Sequence, residues 1–222
     1  MNKKTVIINR AVPGSGKTTI TKEIVNTLNI NNISVKVCST DEFFLTDDGR
    51  YNFDITKLYE YHQKNLDNFT DALIQKIDVV ICDNTNLSPW QTKPYTDLAR
   101  KYNYNVLFIT FEPREIEKHV ASQQVTKEKP DAHGVSEDIL KLMIKEYSDY
   151  NSLLDKNSIR DINKHIKYIW DEELFKKIPS DEVSDYFDLD DIMKIYPNEY
   201  HNIQSTIGNK VLHIIRVGIE SE

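Results

Sequence analysis

Arg10-Ala11-Val12-Pro13-Gly14-Ser15-Gly16-Lys17-Thr18-Thr19 follows the β-branched run Thr5-Val6-Ile7-Ile8-Asn9 and opens a stretch with Ile20, Ile24 and Leu28 on one helical face. A strand that runs through a glycine-rich turn into a helix is the context in which a loop cradles phosphate. The glycines let the backbone curl so that successive N–H groups converge on phosphate oxygens, and the helix N-terminus adds its partial positive charge. Gly14, Ser15, Gly16, Lys17, Thr18 and Thr19 are therefore the candidate phosphate-binding residues. In this chemistry Lys17 reaches the outer phosphates of ATP and the Thr18 hydroxyl ligates Mg2+. The usual pattern begins with glycine where this chain has Ala11, a change compatible with the loop if Ala11 keeps a negative φ.

Outward from the loop, short apolar runs alternate with amphipathic stretches. Strands are predicted at Thr5 to Asn9, Ser34 to Cys38, Asp78 to Cys82 and Tyr104 to Phe111. Helices are predicted at Thr18 to Leu28, from a cap at Asp54 to about Lys76, at Ser88 to Tyr102 with a kink or division at Pro94, at Ile116 to Gln124 and at Ser136 to Tyr150. This order implies βαβ units and an α/β fold, a parallel sheet flanked by helices. The texture changes after about residue 154. We divide the chain into a core, 1–154, and a C-terminal extension, 155–222, in which His165 to Trp170 is a candidate strand. Val211 to Val217 reads as a last strand after a turn at Gly208-Asn209.

Two acids end apolar strands: Asp41 after Val35-Lys36-Val37-Cys38-Ser39-Thr40, and Asp83 after Val79-Val80-Ile81-Cys82. Ligands of parallel sheets sit beyond the carboxyl ends of the strands, so both carboxylates should face the crevice of the glycine-rich loop. Asp41 is a candidate general base for a hydroxyl, or else a helix cap; Asp83 is a candidate Mg2+ partner beside Thr18, or else a turn former.

Seven segments in order resemble the polynucleotide-kinase-like P-loop ATPases, a group with phage-type 5′-hydroxyl kinases and the kinase-like domain of the myelin cyclic-nucleotide phosphodiesterase. They are the loop itself, Ser39-Thr40-Asp41-Glu42-Phe43-Phe44, Tyr51-Asn52-Phe53-Asp54, Asp83-Asn84-Thr85-Asn86-Leu87-Ser88-Pro89, Lys93-Pro94-Tyr95, Phe111-Glu112-Pro113 and His133-Gly134-Val135. The resemblance implies a five-stranded, NMP-kinase-like core with the Asp83 strand beside the loop strand. It implies ATP and Mg2+, phosphotransfer to a polynucleotide or nucleotide 5′-hydroxyl with Asp41 as base and Lys17 as charge stabiliser, and Asn84, Thr85 and Asn86 near the acceptor. It also implies a lid between Gln124 and Gly134. The chain departs from the phage-type pattern at Phe44, where those enzymes place an arginine, and at Asn84, where they place an aspartate. The lid carries no arginine; Lys127 and Lys129 are the candidates to substitute for it, or else belong to a solvated charged loop. Two other readings share the ATP site: a small-molecule kinase, and a nucleotide-binding regulatory protein without transfer activity.

The chain carries 28 Lys+Arg against 35 Asp+Glu, a formal net charge of -7, which gives no global attraction for nucleic acid or an anionic membrane. Cys38 and Cys82 sit in apolar runs and read as reduced, buried thiols without zinc spacing. The apolar run at the N-terminus is too short for a signal core, and a cytoplasmic location is expected. Trp90 and Tyr95 read mainly as aromatics packing a helix on the sheet, with base stacking as the alternative. His133 reads mainly as a local loop residue, and the acidic stretch Ser180 to Asp191 as a solvated loop.

Overall fold

The computed structural model describes residues 4–126, 134–155, 164–168 and 207–217. Five parallel strands form one sheet in the order β2-β3-β1-β4-β5: β1 (Thr5–Arg10), β2 (Val35–Cys38), β3 (Val79–Cys82), β4 (Asn105–Phe111) and β5 (Lys164–Tyr168). Four of them, β1 to β4, have described side chains. The fifth is seen through its backbone pairing with β4, from Leu107 opposite Lys164 to Phe111 opposite Tyr168. That edge strand comes from beyond residue 154.

Alternation along the central strand explains the layers. Val6 and Ile8 of β1 point to one face and Ile7 to the other. The Ile7 face packs on α1 (Lys17–Ile30) through Ile20, Ile24 and Leu28. The Val6 and Ile8 face packs on α2 (Leu58–Ile74) through Phe69 and Leu73, and on α3 (Pro89–Lys101) through Tyr95 and Ala99. With both faces covered, the strands can be apolar throughout, as the sequence showed. As the family resemblance implied, the Asp83 strand neighbours the loop strand, with Ile8 opposite Cys82.

Three local expectations are corrected. Asp54 caps a short 3-10 turn, Ile55–Lys57, by accepting from the Thr56 N–H at 2.9 Å, and α2 starts only at Leu58. Pro94 does not divide its helix, because it lies on the exposed face, where water can serve the carbonyl that loses its partner. The stretch Val211 to Val217 is not a strand. It belongs to a helix, Ile207–Val217, which is α6 after α4 (Ile116–Thr126) and α5 (Glu137–Asp155). Val211, Leu212, Ile214 and Ile215 are buried against α1 while His213 and Arg216 are exposed, a three-residue punctuation that no strand produces. The Gly208-Asn209 pair is the first turn of this helix. A side chain at Gly208 would meet Thr27 Oγ1 at 2.5 Å, so the glycine permits the close crossing on α1.

Among the described residues no helix is long and apolar enough to cross a membrane. The two cysteines are free and buried, and burial pushes both thiols up to about 12, which leaves them unreactive at neutral pH.

Candidate active site

The loop has the curl that its glycines suggested. Gly14 and Gly16 lie at φ 80 and 79, and α1 begins directly on Gly16. Ala11 is fully buried with a negative φ, and its N–H donates to the Thr85 carbonyl at 3.0 Å. Ser15 is buried, yet its hydroxyl has no partner among the described residues. A buried orphan hydroxyl inside a ring of backbone N–H groups fits a phosphate oxygen. Thr18, in the first turn of α1, is exposed. Lys17 folds over the end of β3, donating to the Asp83 carbonyl at 2.8 Å and pairing with Asp83 Oδ2 at 3.1 Å.

Asp83 is nearly buried, and its carboxylate is held from three sides. Besides Lys17, the Asn9 amide donates to Oδ1 at 2.6 Å and the Thr21 hydroxyl donates to Oδ1 at 3.1 Å. Asn9 also donates to Thr21 Oγ1 at 2.9 Å. Sequence reasoning missed Asn9 and Thr21. The available signal was a lone amide near the end of an otherwise apolar run, five residues before the first positive-φ glycine.

A second unpredicted pair braces the loop from outside. The Arg114 guanidinium donates to the Gly14 carbonyl at 2.6 Å and to Ser122 Oγ at 2.7 Å. His119, fully buried on α4, accepts from the Arg114 backbone N–H at Nε2 (2.9 Å) and lies 2.9 Å from the Pro13 carbonyl through Nδ1. An N–H aimed at Nε2 makes that atom the acceptor, so Nδ1 carries the proton and donates to Pro13. With both carbonyls held outside, the N–H groups of the loop turn inward. Protonating His119 would oppose one N–H to another, and burial lowers its pKa accordingly. A lowered folded-state pKa gives stability that is present above the unfolded value and is lost as pH falls through the folded one. The melting-temperature gap between wild type and His119→Ala should therefore be largest near pH 8 and narrow below about pH 6.5. Melts across that range check this, and a gap that widens toward acid pH would contradict the brace.

The second half of the site is the 3-10 turn Thr40–Phe44. Its Thr40 N–H donates to Asn84 Oδ1 at 2.9 Å, which ties Asp41 to the end of β3. Asp41 is half-buried and accepts from the Tyr51 hydroxyl at 3.3 Å. Asn84 and Thr85 are half-buried. Asn86 is turned inward at φ 51, and its amide donates to the Asn9 carbonyl at 2.7 Å. Behind it Arg10, fully buried, donates to the Asn86 carbonyl and to Asn151, with its guanidinium 4.0 Å from the Tyr150 ring centre. Burial lowers the Arg10 pKa to about 10, so the group stays cationic and clamps β1 to α5.

Phe44 is 3% exposed and packs edge-on against Tyr61 and beside Tyr51 and Phe53. Tyr95 packs the helix on the sheet as expected, edge-on to Phe69 and bonded to Asn65. Trp90 does not: it is 71% exposed at the start of α3. Lys127, Lys129, His133 and the acidic stretch Ser180 to Asp191 lie outside the described residues.

Residues 6–150 match the AAA domain family. Human NEDD4-binding protein 2 is 33% identical over 154 residues, which is 67% of this chain and 8% of that protein. The chain thus spans only a small part of that curated relative's length. Three solved structures are similar in fold. A chain of the Pnkp1/Rnl/Hen1 RNA repair complex has a TM-score of 0.57 at 16% identity, over 68% of this chain and 46% of that one. Kti12 of Chaetomium thermophilum, in complex with ADP-AlF3, has 0.54 at 13%, over 81% and 99%. AvrRxo1-ORF1:-ORF2 with ATP has 0.57 at 15%, over 85% and 67%.

Proposed function

Because the chain belongs to the AAA domain family, we propose that it is an ATP-dependent phosphotransferase that moves the γ-phosphoryl group to a hydroxyl, with a polynucleotide or nucleotide 5′-hydroxyl as acceptor. The observation that carries this reading is the bond from Thr40 N–H to Asn84, which fixes the Asp41 turn to the strand end where Asp83 meets Lys17. A phosphate cradle and a second carboxylate on one crevice are what a hydroxyl acceptor requires. The RNA repair complex and the ATP- and ADP-AlF3-bound structures among the similar folds agree with it.

In this mechanism Lys17 leaves Asp83 for the β- and γ-phosphates, the loop N–H groups and Ser15 bind phosphate oxygens, and Asp41 takes the acceptor proton. Thr18 and Asp83 would hold Mg2+, which would supply positive charge against the transferring group. Asn84 and Thr85 line the acceptor side, with Asn86 as their inward anchor.

One observation favours a small-molecule acceptor instead. The position where phage-type kinases carry an arginine is Phe44, and its ring is committed to the aromatic cluster. Salt decides between the two. The KM of an oligonucleotide acceptor should rise several-fold between about 50 and 200 mM salt, since phosphate contacts release counterions. A KM indifferent to salt would assign the site to an uncharged metabolite.

A further inference from the structure

We propose that Phe53, with Tyr51 beside it, is the platform on which the base of the acceptor stacks, so that the acceptor is a hydroxyl carried next to a planar nucleobase. The assignment rests on the phosphotransferase reading above. Five aromatic rings gather around the Asp41 turn: Phe43, Phe44, Tyr51, Phe53 and Tyr61. Phe44 is the floor of the cluster. It is buried, and its ring centre lies 5.0 Å from that of Phe53 and 4.8 Å from that of Tyr61. Phe53 rests on this floor and is still 52% exposed. The Tyr51 and Phe53 rings are nearly parallel, 11° apart in plane, with centres 6.5 Å apart.

Tyr51 joins the platform to the chemistry. Its hydroxyl donates to Asp41 Oδ1 at 3.3 Å. Burial and the neighbouring carboxylate push the phenol up, so it stays protonated and remains the donor. A half-exposed phenylalanine alone is ordinary. This one is held by a hairpin. Leu45 bridges to Tyr51, the Asn52 N–H donates to the Phe44 carbonyl at 2.8 Å, and the Thr46 N–H donates to the Arg50 carbonyl at 2.8 Å. A ring fixed from below and open above needs little further ordering when a second ring lands on it.

The hairpin offers the acceptor a ring and not a charge. Its cation, Arg50, is committed to Asp48, with Nε donating to Oδ2 at 2.7 Å. Phe44 stands where phage-type kinases place an arginine, and here it supports the platform instead. Recognition on this side of Asp41 thus passes from charge to stacking. With the 5′-hydroxyl on Asp41, the sugar would lie along Tyr51 and the base on Phe53. Every nucleobase has a π-face, so the platform would accept any of them.

Binding to the full chain tests the platform without any transfer. Calorimetry, with the ATP site filled by a non-hydrolysable analogue, compares a 5′-hydroxyl oligonucleotide with a matched one whose 5′-terminal residue is abasic. The wild-type chain should bind the base-bearing probe about tenfold more tightly. Phe53→Tyr should keep that preference. Phe53→Leu keeps apolar bulk on Phe44 but has no π-face, and it should lose the preference. No preference in the wild type, or a preference that survives Phe53→Leu, overturns the platform. Adenosine serves as a third probe. Adenosine bound as tightly as the oligonucleotide places a free nucleoside on the platform. Tighter, salt-sensitive binding of the oligonucleotide places a chain end there. Both uphold stacking.

Transfer kinetics separate this proposal from the kinase reading. In Phe53→Leu the KM of a base-bearing acceptor should rise about tenfold, while the KM of the abasic acceptor should not follow it. Acceptors labelled with the same KM with and without the terminal base overturn the platform and leave the kinase reading in place. A base preference that depends on Phe53, with no acceptor labelled, sinks the kinase reading while the platform stands.

Discussion

Lys17→Met should cut γ-phosphoryl transfer by about 10³-fold, the upper end of what losing one charge-stabilising donor costs. Lys17 has the reach and the place for this role: it starts α1 and lies over the mouth of the loop, 3.1 Å from Asp83 Oδ2. In the proposed mechanism that ion pair keeps the ammonium beside the glycine-rich loop, where the outer phosphates would bind. Methionine keeps most of the apolar stem and removes the charge. The backbone N–H groups of the loop remain, so nucleotide binding should weaken far less than transfer. Asp83 keeps its bonds from Asn9 and Thr21, and the variant should stay folded, with a circular dichroism spectrum like that of the wild type. Steady-state transfer beside a nucleotide-binding isotherm checks both parts. Full activity in this variant would remove the mechanism.

Asp41→Asn should lower kcat by about 10²–10⁴-fold with the KM for ATP almost unchanged. Asparagine is nearly isosteric and can still accept from the Tyr51 hydroxyl, so the turn keeps its place. The anchor of that turn, the Thr40 N–H on Asn84, involves no atom of the Asp41 side chain. The loss is therefore confined to the proton acceptor. A variant within twofold of wild type would return Asp41 to its alternative reading as a local cap. Equal losses in ATP affinity and in rate would show that Asp41 supports the phosphate cradle and not the acceptor.

The strand, loop and first helix were legible because each part is a local signal: β-branched residues, then glycines at two positive-φ positions, then apolar residues at helical spacing. Asp41 and Asp83 were legible because a charge at the end of an apolar run is conspicuous, and topology alone carries both to the same edge of the sheet. The supports of those residues were not legible. Asn9 and Thr21 are ordinary polar residues until folding places them on Asp83. His119 reaches the Pro13 carbonyl across 106 residues of chain, a partnership no local pattern announces. Val211 to Val217 was misread because β-branched residues suggest a strand, while the exposed His213 and Arg216 mark the helical period. Trp90 was assigned to packing because tryptophan usually buries its ring, and here α3 turns it outward. Phe44 was recognised as a departure, but only the structure shows its ring absorbed by Tyr51, Phe53 and Tyr61.

The most direct test of the account is transfer of labelled γ-phosphate from Mg·ATP, by the wild-type chain, to 5′-hydroxyl RNA and DNA oligonucleotides, nucleosides and a metabolite extract, with nucleotide binding measured on the same preparation. The account predicts label on a hydroxyl acceptor, with the 5′-hydroxyl oligonucleotides or nucleosides foremost. ATP bound with no label on any acceptor would contradict it and make the chain a nucleotide-binding regulator.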